Sequence, residues 1–255
     1  MIDTHTHLYS EEFSNDLENV MARAAGKGIY KFFLPAIDSS TTEAMLFIES
    51  SYPDRCFAMM GLHPCSVNET YETELEHVRG WLAARPFAAV GEIGLDFYWD
   101  KTFTEEQYIV FRKQMELALQ YGLPVVIHSR NATAETIQVI REYSGRNLRG
   151  IFHCFGGTGE EAQQIIDCGF LLGIGGVVTY KNAGLAAVIA DIDLSHLVLE
   201  TDAPYLSPVP YRGKRNESSY LGFIAEKIAD SKNIPVEEVI RRTTENAEAM
   251  FKLPA

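Results

Sequence analysis

Residues 1–10 read "MIDTHTHLYS". A short β-prone run leads directly into two histidines, His5 and His7, one residue apart. A strand alternates its side chains with a period of two, so both imidazoles project from one face. A doubly wound nucleotide-binding sheet would place a glycine-rich phosphate turn after its first strand. That place is held by "THTHLYS" (4–10) instead. The stretch favours a fold in which strand ends present side chains, not one in which a backbone loop cradles phosphate.

The rest of the chain supports this choice. β-rich runs alternate with helical segments: "IDTHTH" (2–7), "YKFFLPA" (30–36), "CFAMMGLH" (56–63), "FAAVGEIG" (87–94), "LPVVIHS" (123–129), "RGIFHCF" (149–155), "FLLGIGG" (170–176) and "LVLETDA" (197–203). Between most of them lie helix signals. Thr104 with Gln107 reads as a capping box, followed by an apolar face of Phe111, Met115, Ala118 and Leu119. After the eighth run, Leu221, Ile224, Ala225 and Ile228 form a second such face. Eight β-α units in about 250 residues are the size of a (β/α)₈ TIM-like barrel, here one domain over 1–255.

Composition sets limits on function. Hydrophobic residues make up 46 % and charged residues 22 %, ordinary for a folded domain with a large core. No apolar run reaches the roughly 18 residues of a membrane span. The start lacks the features of a secretory signal. Cys56, Cys65, Cys154 and Cys168 form no CxxC pair and read as reduced thiols. A cytoplasmic protein with no membrane partner and no obligate protein partner is expected. The net charge of −13 argues against a broad basic surface that coats nucleic acid. It does not oppose an enzyme whose bound metal supplies local positive charge.

Five of the seven histidines fall at expected strand ends: His5 and His7 on the first, His63 on the third, His128 on the fifth and His153 on the sixth. Glu92 closes the fourth strand, and Glu200 with Asp202 the eighth. Barrel enzymes build their sites at this end of the strands. Imidazole and carboxylate together suit Zn²⁺, Mn²⁺ or similar ions. Six ligands (His5, His7, Glu92, His128, His153, Asp202) exceed one tetrahedral site, and one carboxylate can bridge two ions about 3.5–4 Å apart. Glu92, between Gly91 and Gly94, is the best bridge, since no lysine ends a strand near the cluster and Lys31 begins one. Two divalent ions (Mg, Mn or Zn) are the expected cofactors. Asp202 is the candidate base, and Glu92 is essential to the chemistry. His63 is expected to touch substrate, and Glu200 to orient a ligand or bond internally.

Other stretches have plainer readings. "GIGG" (173–176) reads as tight barrel packing and "CFGGTGEE" (154–161) as a turn into a helix. Cys154, next to His153 in a strand, should point away from the ligands. Asp96 reads as a loop cap, and Trp81, Trp99, His77 and His196 receive no role. "PYRGKRNE" (210–217) gathers Arg212, Lys214 and Arg215 in an acidic chain. It is either a solvated loop or an anion clamp, with Arg212 and Arg215 as the substrate-binding candidates.

The fragments "DTHTHL", "GLHP", "GEIGLDFY", "VVIHSR", "FHCFGG", "TYKNA" and "LETDAPYLSPVPYRGKRNE", in this order, resemble the TatD family of metal-dependent deoxyribonucleases among the amidohydrolase-like barrels. The resemblance covers essentially the whole chain. It implies one divalent site from His5, His7, Glu92 and Asp202, and a second from Glu92, His128 and His153. It also implies DNA as substrate, cleaved by 3′–5′ exonuclease action, with RNA or aminoacyl-tRNA as alternatives. An ester or amide hydrolase such as a D-aminoacyl-tRNA deacylase is the second reading, and a metal-stabilised binding scaffold the third. Asn131 and Ser218 stand where the family usually has Asp and Pro.

Overall fold

Strands and helices alternate from one end of the chain to the other in the computed structural model, which describes residues 1–252. Residues 253–255 of the expected domain lie outside the described residues. The order is β1 (Ile2–Asp3), α1 (Leu17–Gly26), β2 (Lys31–Pro35), α2 (Ser39–Ser51), β3 (Cys56–Met59), α3 (Tyr71–Ala84), β4 (Val90–Asp96), α4 (Thr104–Tyr121) and β5 (Val125–Arg130). It continues with α5 (Thr133–Arg141), β6 (Gly150–Phe152), α6 (Gly159–Asp167), β7 (Phe170–Ile174), α7 (Leu185–Asp191), β8 (Leu197–Leu199), α8 (Leu221–Lys232) and α9 (Val236–Phe251).

Every strand pairing is parallel, in the orders β1-β2-β3 and β4-β5-β6-β7-β8. Single bridges join the two groups, Thr6 to Ala203 on one seam and Met60 to Val90 on the other. Backbone bonds reinforce both seams, among them His7 N–H to the Ala203 carbonyl (2.8 Å) and Gly91 N–H to the Met60 carbonyl (3.0 Å). The result is the expected TIM-like barrel. Its regular strands are shorter than the sequence runs, because the chain leaves the ladder near the mouth. His5, His7, His63, His153, Glu200 and Asp202 therefore sit just past regular strand, on backbone free to turn them inward.

Strand alternation divides the core into two layers. Phe33 of β2 points into the barrel with Ile2, Met59, Val126, Ile151 and Val198. Its neighbours Phe32 and Leu34 face the helices, in the larger cluster. The floor of the barrel is covered by α9, whose Phe251 ring stacks on Phe33 at 3.6 Å. The apolar face of α8 is as the sequence implied, with Leu221, Ile224, Ala225 and Ile228 all fully buried.

One helix start differs from the expectation. Thr104 does not cap α4 in a box with Gln107; the N-cap is Phe103, with no side-chain bond. Gln107 instead turns inward, where its amide accepts from Asp96 N–H (2.9 Å) and donates to the Asp96 carbonyl (3.2 Å). A buried strand end offers partners that no helix-local rule anticipates. The turn reading of "CFGGTGEE" does hold. Thr158 and Glu161 form a true capping box at the start of α6.

Candidate metal centre

Glu92 lies at the centre of the mouth, 3 % exposed. Its position depends on glycine. At Gly94 (φ +147°) a Cβ would meet the His128 carbonyl oxygen at 2.0 Å, and at Gly91 a Cβ would come within 2.8 Å of the Val126 Cβ. The two glycines let β4 and β5 approach closely while Glu92 points inward. Four imidazoles surround its carboxylate: His128 Nδ1 at 2.9 Å, His5 Nε2 at 3.1 Å, His63 Nε2 at 3.5 Å and His153 Nε2 at 3.7 Å. Asp202 faces the same space, 3.5 Å from His7 Nε2, 3.7 Å from His153 Nε2 and 3.8 Å from His5 Nε2. All six ligands expected from the sequence, and His63, are thus brought together.

Neighbours fix how several rings present themselves. Half-buried Tyr9, its phenol held well above its ordinary pKa first by desolvation and then by the Glu92 charge, donates to the Pro35 carbonyl (2.5 Å). Its oxygen therefore accepts from His7 Nδ1 (2.8 Å), which leaves the lone pair of His7 on Nε2, facing Asp202. His63 has the opposite arrangement. Its Nδ1 accepts from Cys65 N–H (3.0 Å), so the neutral ring carries its proton on Nε2, toward Glu92. Burial, with His128 beside it, holds His63 below its ordinary pKa. His63 is thus built to donate a hydrogen bond into the site.

His128 lies between two carboxylates, Glu92 on Nδ1 and Asp96 on Nε2 (2.8 Å). Although burial opposes protonation, these bonds carry its pKa above the ordinary value. Asp96 is thus more than a loop cap, since it also holds a site histidine. Glu200 Oε1, fully buried, lies 2.9 Å from His153 Nδ1 and accepts from Cys154 N–H (2.6 Å). Burial disfavours a charged His153, but Glu200, Glu92 and Asp202 together push it up to about 10. Gly173 makes room for Glu200, because a Cβ there would meet Oε2 at 2.2 Å. This bears out the packing reading of "GIGG". Cys154 does not point away as expected. The strand ends at Phe152, and at φ +48° the Cys154 thiol comes within 4.8 Å of ligand atoms of His153 and Glu200.

Both nitrogens of fully buried His5 lack a hydrogen-bond partner among the described residues, and its ring stacks on His153 at 3.4 Å. A buried polar atom without a partner carries a free-energy cost. A divalent cation among these donors would satisfy His5 Nε2 and offset the surrounding carboxylate charge. Groups of His5, His153 and Asp202, of His5, His7 and Glu92, and of His63, Glu92 and His128 each hold their ligand atoms within 4.8 Å of one another. The imidazole and carboxylate set fits a divalent metal.

The basic loop divides into two parts. The Arg212 guanidinium lies 4.5 Å from the Tyr180 ring centroid and is exposed. Arg215 grips Asp16 with two bonds of 2.7 Å and the Glu12 carbonyl at 2.6 Å, so it would have to leave them to bind a phosphate. Beside it, Arg23 of α1 holds Glu217 through bonds of 2.8 and 2.6 Å. His77 bonds Thr42 (2.9 Å), on the helical layer. Asn131 takes φ +53°, a left-handed turn that asparagine enters readily. The sequence reading missed Tyr9, which lies in the turn two residues beyond His7.

Known proteins are similar to this chain over nearly all of its length. A family model described as TatD related DNase matches residues 2–252. A Bacillus subtilis protein, the uncharacterized metal-dependent hydrolase YabD, is 39 % identical over 255 residues, covering 99 % of each chain. The 3′-5′ ssDNA/RNA exonuclease TatD of Edwardsiella piscicida is 32 % identical over 259 residues, covering 99 % of this chain and 100 % of its own. The crystal structure of YjjV, a TatD homologue from Escherichia coli, superposes with a TM-score of 0.93 at 30 % identity, covering 100 % and 98 % of the two chains. On sequence and on fold alike, this chain belongs to the TatD family.

Proposed function

We propose that this protein is a metal-dependent phosphodiester hydrolase that shortens single-stranded DNA or RNA from the 3′ end, with two divalent ions held by His5, His7, Glu92, His128, His153 and Asp202. One observation carries the reading: a buried carboxylate, Glu92, is ringed by four imidazoles, one of which, His5, has no partner on either nitrogen. When bound, divalent cations supply Lewis acidity to the phosphate and acidify water. The name of the Edwardsiella piscicida relative supports the polarity and the substrate class.

The residues divide the remaining tasks. Asp202, which is only partly buried, takes the proton of the attacking water. His63 donates from Nε2 to a non-bridging phosphate oxygen, where negative charge grows. Tyr9 holds His7 in its tautomer and orientation, and the Glu200 carboxylate lies against His153 Nδ1 as a charge partner. Arg212 reaches for a flanking phosphate, while Arg215 steadies the loop that carries it. The test is digestion of 5′- and 3′-labelled single- and double-stranded DNA and RNA with added Mg²⁺, Mn²⁺ or Zn²⁺, with aminoacyl-tRNA alongside. Stepwise loss of the 3′ label from single strands is expected. Intact strands under every metal, with hydrolysis of the aminoacyl ester, would overturn the proposal.

A further inference from the structure

The roles above leave one feature of the mouth unused. Tyr98 and Trp99, directly after β4, are 50 % and 68 % exposed, although rings of this size are mostly buried. They meet edge to face, with centroids 4.9 Å apart at 86°. The Arg130 guanidinium lies over both, 3.9 Å from the Tyr98 centroid and 5.2 Å from that of Trp99. Arg23, Arg112, Arg146 and Arg215 are each held by a carboxylate. Exposed Arg130 has none among the described residues. The group is anchored to the metal centre through one side chain. Tyr98 and Trp99 N–H both donate to Asp96 Oδ1 (2.9 and 3.1 Å), Asp96 Oδ2 meets His128 Nε2, and His128 Nδ1 meets Glu92.

We propose that Tyr98, Trp99 and Arg130 form a subsite that stacks a nucleobase of the strand being cut, with Arg130 also facing that strand's phosphate. This rests on the nuclease reading and adds to it the way the strand is gripped. Every base offers a π-face, so aromatic stacking binds single strands with little regard to sequence. A cation stacked on aromatic rings strengthens such a site. A net charge of −13 argues against a broad basic groove, which gives stacking contacts beside the metals a larger share in holding the strand. Paired bases cannot reach the rings, so single strands are selected.

The chain has two tryptophans, which makes the subsite observable. In a Trp81→Phe background, Trp99 is the sole indole. Metal-loaded protein is titrated with a phosphorothioate-linked oligothymidylate, which resists cleavage, and with the same backbone lacking bases. Anisotropy of labelled strands gives the affinities in the unmodified background as well. Trp99 fluorescence should be quenched by the strand with bases only. Tyr98→Ala with Trp99→Ala should weaken that strand roughly tenfold or more and the base-less strand far less. Both side chains being exposed, the double variant keeps the packing of the core. No quenching, or an equal loss on both strands, would overturn the subsite while leaving the nuclease reading intact if wild type still digests DNA. Failure of wild type to bind either strand would remove both.

Discussion

Of the two imidazoles in the opening HxH motif, His7 has its tautomer fixed by a neighbour and His5 has neither nitrogen partnered. That difference gives two expected outcomes. Tyr9→Phe keeps the ring but removes the acceptor of His7 Nδ1, so the imidazole is no longer held with Nε2 toward Asp202. Loss of such a supporting bond typically lowers metal affinity about 10–100-fold, measurable by metal titration of the stripped protein. An unchanged affinity would reduce Tyr9 to a packing residue. Glu92→Gln replaces an anion that meets four imidazoles with a neutral amide. Metal analysis should show lowered occupancy and digestion assays near-complete loss of hydrolysis. Full occupancy with wild-type turnover would show that Glu92 is no ligand. The candidate ligands were legible because they cluster at or just past the C-terminal ends of the expected strands. The contacts that set the rings were not, since Tyr9 bonds the Pro35 carbonyl of a neighbouring strand and His153 has its charge partner in Glu200, 47 residues later in the chain.

Strand β4 shows what two glycines do for a site. Gly94 has φ +147° and lies against the His128 carbonyl, so Gly94→Ala strains the backbone and drives β4 from β5 at the level of the ligands. A destabilisation of about 3 kcal/mol or more is expected by denaturant titration, with metal binding lost as well. A near-neutral result would mean that the strands separate without penalty. The loop after β8 gives a contrasting pair. Arg215 binds Asp16, which is 199 residues away and one third exposed. Arg215→Ala should cost stability by only about 1 kcal/mol, as exposed ion pairs do. Arg212→Ala should leave stability unchanged but flatten the salt dependence of strand binding, by a slope of roughly 0.7 for one lost phosphate contact. Equal slopes for wild type and Arg212→Ala would make Arg212 a solvated surface residue. Local sequence rules could not separate these two arginines, nor foresee that Gln107 leaves its helix start for Asp96, because each outcome depends on a partner distant in the chain.

The barrel keeps stability and chemistry at opposite ends. Its mouth concentrates unsatisfied or charged polar groups around Glu92, an arrangement that opposes folding until cations offset it. Its floor is apolar, closed where Phe251 of α9 stacks on Phe33 beneath Ile2, Met59, Val126, Ile151 and Val198. The helix that closes it follows the eighth repeat, and the eight-fold alternation that reveals the barrel in the sequence carries no sign of it. Phe251→Ala leaves a cavity under the barrel. It should cost about 3 kcal/mol, read from the denaturation midpoint, with metal content and strand digestion retained while the protein is folded. Chelation should do the reverse, abolishing digestion while leaving the apolar floor in place, and restored metal should recover activity. Because a ligand bound only by the folded state stabilises by mass action, metal should also raise the melting temperature of both wild type and Phe251→Ala. If the two ends are energetically independent, the two increments should agree to within about 0.5 kcal/mol, as for separated sites. A metal increment that collapses in Phe251→Ala would show instead that packing at the floor is transmitted along the strands to the ligands, and that the barrel acts as one cooperative body.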